Sequence, residues 1–95
     1  MSDAIAVTHN AAAAQFEART DHGVAVLKYS MRGGALDLAH TLVPHEAEGR
    51  GVGTALAHAA LEHARREQVK VIASCPFVAS YLTQHPEYAD LVGSY

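Results

Sequence analysis

A chain of 95 residues and 10.1 kDa, 49% apolar and 18% charged, with a net charge of −3 and a pI near 6.1, holds enough apolar material for one core and too little chain for two lobes with a cleft. Seven Lys plus Arg, scattered and outnumbered by ten acids, leave no nucleic-acid footprint, and the single Cys75 excludes a disulfide framework and any multi-cysteine metal site. Apolar runs are short and Met1-Ser2-Asp3 carries no basic region, so no membrane span or signal peptide is expected; the expected setting is the cytoplasm, the expected state a monomer or weak homodimer.

No internal repeat, linker or domain boundary interrupts the chain, and the four residues Ala11–Ala14 are too few to form a biased segment. The first half has the period of strands. Gln15–Arg19 sets Phe16 and Ala18 against Glu17 and Arg19, and Gly23–Met31 sets Ala25, Leu27, Tyr29 and Met31 against Val24, Val26, Lys28 and Ser30. Thr20-Asp21-His22-Gly23 supplies turn chemistry before the second segment. Arg32-Gly33-Gly34 supplies it afterwards, adjacent glycines tolerating the positive φ of a hairpin turn. Ala35–Val43 is then the third strand of a meander, stopped by Pro44.

The period changes after Pro44. Between Arg50 and Gln68, Val52, Leu56, Ala59, Ala60 and Ala64 fall at helical spacing, an alanine-rich face suited to close packing on a sheet, while Glu62 and Arg66 stand four apart on the outer face. Val69–Ser74 reads as a short buried strand, and Pro76 suits the first turn of a second helix running to about Gln84, ahead of Pro86. The order β-β-β-α-β-α predicts an α+β fold: a mostly antiparallel twisted sheet, splayed at Pro44, with a long helix after a Gly-rich loop and a second short helix.

The strongest chemical signal is Glu48-Gly49-Arg50-Gly51-Val52-Gly53-Thr54, between a strand and a helix. Glycines admit a ligand close to the backbone, and the free N–H groups of a helix's first turn point at it with the positive end of the helix dipole behind them. That describes a phosphate or pyrophosphate cradle; the simpler alternative is a glycine-rich turn. No Gly-Lys-Ser/Thr follows, which excludes a Walker loop, and no Gly-x-Gly-x-x-Gly spacing is present, which excludes the dinucleotide fingerprint. Cys75, directly before Pro76, stands where a helix N-terminus favours thiolate, so it suits an acyl-accepting nucleophile or a proton donor; a small buried apolar residue is the other reading. His40 fits a general base or a hydrogen-bonded core histidine, and Asp37 a weaker base or a surface charge. No metal site is expected: His58 and His63 are five apart on a helix, and no His-x-x-x-His pair occurs.

Leu42-Val43-Pro44 followed by Gly-x-Gly-x-Gly opening an amphipathic helix resembles motif A of the GNAT superfamily of acyl-CoA-dependent N-acetyltransferases. That motif, Gln/Arg-x-x-Gly-x-Gly/Ala, falls here on Glu48-x-x-Gly51-x-Gly53, with an acid at its first position and Arg50 nearby to compensate. The chain is more similar still to the small, single-domain GNAT-like subgroup. That likeness is carried by His40-Thr41-x-Val43-Pro44, Gly51-x-Gly53, Cys75-Pro76-Phe77-Val78 and His85-Pro86-Glu87-Tyr88, spread from Phe16 to Val92 with the strands before them.

The resemblance implies a single GNAT-like acyl-CoA-binding domain over residues 1–95, with acetyl-CoA lying in a V between the strand ending at Val43 and the strand Lys70 to Ala73. Backbone groups near Leu42 and Val43 would hold the pantetheine, and Gly49, Arg50, Gly51, Val52, Gly53 and Thr54 the pyrophosphate. In larger members a Tyr on the following helix protonates the departing thiolate; here Leu82 takes that position and Tyr81 comes one residue early. The implied function is acyl transfer from acetyl-CoA to an amine acceptor, with Cys75 and His40 as catalytic candidates. The alternatives are a coenzyme A-binding domain with little or no catalysis, since the usual Tyr and the N-terminal helices of an acceptor site are missing, and a partner-binding domain whose loop holds no phosphate.

Overall fold

The computed structural model describes residues 5–93. Five strands form one sheet in the order β1-β2-β3-β4-β5. The first four, β1 (Val7–Asn10), β2 (Gln15–Thr20), β3 (Gly23–Arg32) and β4 (Ala35–Leu42), make an antiparallel meander; β5 (Val71–Ala73) lies parallel to β4. Helix α1 (Val52–Glu67) makes that crossover, and α2 (Pro76–Gln84) follows β5. Single 3-10 segments at His45–Ala47 and Pro86–Leu91 lead into α1 and close the C-terminal end. The α+β architecture expected from the sequence is thus the observed one. No helix among the described residues is long and apolar enough to cross a membrane.

Strand β1 was not expected. It pairs with β2 from Val7↔Ala18 to Asn10↔Gln15, and the alanine run is the turn between them. Asn10 fixes that turn: its Oδ1 accepts from the Ala13 N–H at 3.1 Å, the Ala14 N–H donates to Ala11 O, and Ala14 takes a φ of 55°. A local side-chain bond thus overrides the helix preference of four alanines.

One face of the sheet carries the core. Phe16, Ala18, Ala25, Leu27, Leu36 and Leu38 face α1, whose Val52, Leu56, Ala57, Ala60, Leu61 and Ala64 are buried against them. Ala57 and Leu61 replace Ala59 on the predicted inner face, and α1 begins at Val52 because Gly51, with a φ of 80°, is its N-cap. The predicted outer pair Glu62–Arg66 does not form; Glu62 turns to Tyr88 and Arg65 takes Asp90 at 3.2 Å. Asp37, read as a weak base or a surface charge, is 5% exposed on the other side of the sheet, with Arg32 at 2.9 Å; the Ser74 side chain first, then Arg32, holds its carboxyl below the ordinary range.

The register of β3 on β4 shifts once. Lys28 faces His40, but the next residue, Tyr29, faces Leu38, leaving Ala39 as the extra residue of a β-bulge. Without it, Thr41 would share a face with Ala35 and Asp37. With it, Thr41 lies opposite Leu27 on the helix-covered face, and His40 and Leu42 turn to the other.

The chain end is clamped to α1. Tyr88, 4% exposed, donates its hydroxyl proton to Glu62 Oε2 at 2.5 Å, leaving its oxygen free to accept from His58 Nδ1 at 3.1 Å. Arg65 lies 5.5 Å over the same ring and also donates to Glu87 O. Burial, then Glu62, pushes the Tyr88 hydroxyl far above the usual phenol range, so it stays a donor. Replacing Tyr88 by Phe strands the Glu62 carboxylate and should cost about 1–3 kcal/mol, read as a lower urea midpoint with an unchanged slope.

Elsewhere on α1, the His9 ring stacks on Phe16 at 4.5 Å and meets the His63 ring edge-on at 4.4 Å, while His9 Nε2 bonds the Tyr29 hydroxyl. Burial and then His9 lower the His63 pKa, with Glu67 opposing and Arg66 reinforcing. A base with a depressed folded pKa binds protons less well folded than unfolded, so stability falls as pH drops from about 6.5 toward the folded value. Urea midpoints at pH 7.5 and 5.5 should differ in that direction, and the difference should shrink in His63→Leu.

Candidate functional site

The site begins where two strands part. β5 pairs with β4 only at Leu36↔Val71, Asp37↔Ile72 and Leu38↔Ala73. The Cys75 N–H then donates to Leu38 O at 2.9 Å and the chain turns into α2, while β4 runs on to Leu42 beyond the end of its neighbour. The opening so made leads into a groove of about 360 Å³. Thr41 and Val43 line it from β4, Ala47, Glu48 and Gly49 from the loop, Gly51, Val52, Gly53 and Thr54 from the start of α1, and Phe77 from α2.

Pro44 ends the strand, and the Ala47 N–H donates to its carbonyl at 2.8 Å, tightening the chain into one 3-10 turn that buries Ala47. Gly49 and Gly51 follow with φ near 80°, a conformation that strains any L side chain. A Cβ at either would meet no atom within 4 Å, so the backbone there faces open space. Gly51 offers no side-chain cap and the first turn of α1 holds no acid, which leaves its N–H groups and the positive helix end to the groove. Gly53 is glycine for another reason: a Cβ there would stand 3.0 Å from Phe77 Cζ, so the missing side chain makes room for an aromatic ring, not for a ligand. Glu48, exposed beside His45 at 3.5 Å, sets a negative charge at the groove's mouth.

Of the residues named for coenzyme binding, Val43, Gly49, Gly51, Val52, Gly53 and Thr54 line this groove. Leu42 does not: it is 55% exposed, opposite Val26 on the far face of the sheet. Arg50 does not either; it borders a separate depression with Arg19, Thr20 and Asp21. His40 is exposed opposite Lys28, on the face away from the helices, and takes no part in the groove wall. Cys75 is 5% exposed as the N-cap of α2, with its Sγ 3.3 Å from Thr41 Oγ1. Burial alone raises a thiol's pKa, but bonds from the Thr41 hydroxyl and from the backbone of Val78, Phe77 and Thr41 outweigh it and leave the thiol below its ordinary value. Tyr81 is buried with its ring stacked 4.0 Å from that of His85, and burial raises its pKa.

Thr41, Ala47 and Phe77 are the wall residues that sequence reasoning left out as site residues. Phe77 could have been found from an aromatic in the first turn after Pro76. Thr41 could not, because the bulge that turns it inward carries no sequence mark.

The sequence model of the GCN5-related N-acetyl-transferase family matches residues 15–91. The chain is 35% identical over 88 residues to Protein NATD1 of Xenopus tropicalis, covering 90% of this chain and 81% of that one. It is 36% identical over 85 residues to Protein NATD1 of Homo sapiens, covering 86% and 75%. The solution structure of a GCN5-like protein from Staphylococcus aureus superposes with a TM-score of 0.73 at 28% identity, over 99% of this chain and 93% of the other. The fold as a whole thus has its counterpart in a known structure, and the chain belongs to the GCN5-related N-acetyltransferase family.

Proposed function

We propose that the protein is an acyl-CoA-dependent N-acyltransferase that binds acetyl-CoA in this groove and transfers the acetyl group to an amine. One observation carries the reading: an uncapped helix N-terminus and two open, positive-φ glycines face the groove where β4 outruns β5. The Gly49–Thr54 backbone and the first-turn N–H groups of α1 suit the coenzyme's pyrophosphate, and the β4 edge around Thr41 and Val43 suits the extended pantetheine. Arg50 lies outside that wall and does not offset Glu48 at the mouth, so the loop holds its anion with backbone groups. A free, reduced cysteine and a soluble thioester substrate both fit a cytoplasmic enzyme built as one domain.

Thr41 stands in the groove wall, and the Cys75 sulfur lies behind it, 3.3 Å from the Thr41 hydroxyl. A thiol there can take the acyl group itself or supply a proton to the departing sulfur. A second reading, coenzyme binding with little catalysis, draws on the position of His40, which faces away from the groove and offers no base beside the thioester. A screen of amines, peptides and protein lysines with acetyl-CoA and mass detection separates the two: an acetylated product establishes the enzyme, and binding with no product across the screen leaves a binder.

Acetyl-CoA should bind the wild-type protein in calorimetry and raise its melting temperature. Gly51→Ala should lower that affinity about tenfold or more, roughly 1.4 kcal/mol, because a side chain intrudes on the anion's approach. Equal affinity in a folded Gly51→Ala protein would remove the pyrophosphate from this loop.

A further inference from the structure

The chemistry of this site, if the acyltransfer reading holds, turns on how a nearly buried thiol acts on a ligand it does not border. Cys75 is 5% exposed and is absent from the groove wall; Thr41 is in that wall, and its hydroxyl lies 3.3 Å from the Cys75 sulfur. The sulfur is held at the α2 N-cap. The Cys75 N–H is committed to Leu38 O, which pins the residue to the apex where β4 and β5 separate. Thr41 is equally fixed, since the bulge at Ala39 is what turns it to this face opposite Leu27.

We infer that the Thr41 hydroxyl is the group through which Cys75 works: it carries the thiol proton to the leaving sulfur, and Cys75 forms no acyl adduct. The steps balance as follows. The neutral acceptor amine bonds through nitrogen to the acyl carbon, and the carbon–sulfur bond breaks with its electron pair on sulfur. That sulfur takes the Thr41 hydroxyl proton as Thr41 takes the proton of Cys75, leaving a Cys75 thiolate. The proton lost by the amine passes to water, and water reprotonates Cys75. Backbone groups of Phe77 and Val78 around the sulfur stabilise the thiolate in the interval. Direct attack would require the sulfur to reach the groove past Thr41.

The test compares wild type with Thr41→Val, which keeps the shape and removes the hydroxyl, and Thr41→Ser, which restores it. Three quantities are read: acetyl-CoA affinity by calorimetry, Cys75 ionisation by ultraviolet thiolate absorbance against pH, and coenzyme A release from acetyl-CoA with hydroxylamine as the amine. Thr41→Val should still bind acetyl-CoA, raise the Cys75 titration midpoint, and lose about tenfold or more of the release rate at saturating acetyl-CoA; Thr41→Ser should recover both. Intact-mass spectrometry of wild type with acetyl-CoA alone should show no acetyl group on Cys75. An adduct there, or an unmoved titration and rate in a folded, coenzyme-binding Thr41→Val protein, overturns the relay alone. Failure of wild type to bind acetyl-CoA, or to release coenzyme A with hydroxylamine and with every acceptor of the screen, overturns the acyltransfer reading and the relay with it.

Discussion

A single extra residue in β4 decides what the site is made of. Up to Leu38 the strand alternates regularly, with Leu36 and Leu38 toward the helices and Ala35 and Asp37 away. Ala39 breaks the alternation. Beyond it the parity is reversed: Thr41 faces inward, and His40 and Leu42 face outward. At the same level β5 stops pairing, because the Cys75 N–H takes Leu38 O and the chain turns into α2. The bulge and the strand's early end are therefore one device. The first turns a hydroxyl toward the opening, and the second makes the opening and sets a thiol beside it.

The loop that follows shows two glycine requirements in five residues. Gly49 and Gly51 are needed for their backbone angles, and the space in front of them is left open. Gly53 is needed because Phe77 lies against it, which ties the start of α2 to the start of α1. The groove thus has a backbone floor on one side and an aromatic wall on the other. Two helix ends meet there: α1 begins at Gly51 with no capping side chain and leaves its first-turn N–H groups to the groove, whereas at α2 the Cys75 sulfur takes the N–H groups of Phe77 and Val78.

Much of this was legible in the sequence. The strands β2 to β4 follow from alternation around Phe16, Ala25 and Leu27, α2 from Pro76 and the stop at Pro86, and the groove from the spacing of its glycines. What was hidden depends on contacts between distant residues. β1 was masked by four alanines that read as nothing until the Asn10 side chain makes them a turn. His40 stood out in the third strand as a general base or a core histidine, but a bulge at an ordinary alanine turns it away and brings in Thr41. Glu62 was paired with Arg66 on helical spacing alone, whereas a tyrosine 26 residues later takes it. Arg50 sat inside the motif, yet the φ of 80° at Gly51 leaves it beside Arg19 instead.

For the transfer proposed above, the choice of acid turns on what the fold does with its tyrosines. Tyr81 on α2 and Tyr88 in the turn after it are both spent on structure. Tyr81 is buried against His85, and Tyr88 donates its only proton to Glu62. Burial raises both phenols, which makes each a poorer proton donor. Cys75 departs in the other direction, its thiol lowered by the hydrogen bonds around it despite burial. A donor works best when its proton affinity is close to that of the group it protonates, and a thiol returning a proton to a thiolate meets that condition more closely than a raised phenol. The C-terminal clamp and the thiol at the strand junction are consequences of one arrangement: tyrosines that anchor the C-terminal turn are committed to structure, and under the proposed transfer the donor left over is the sulfur at the point where the sheet opens.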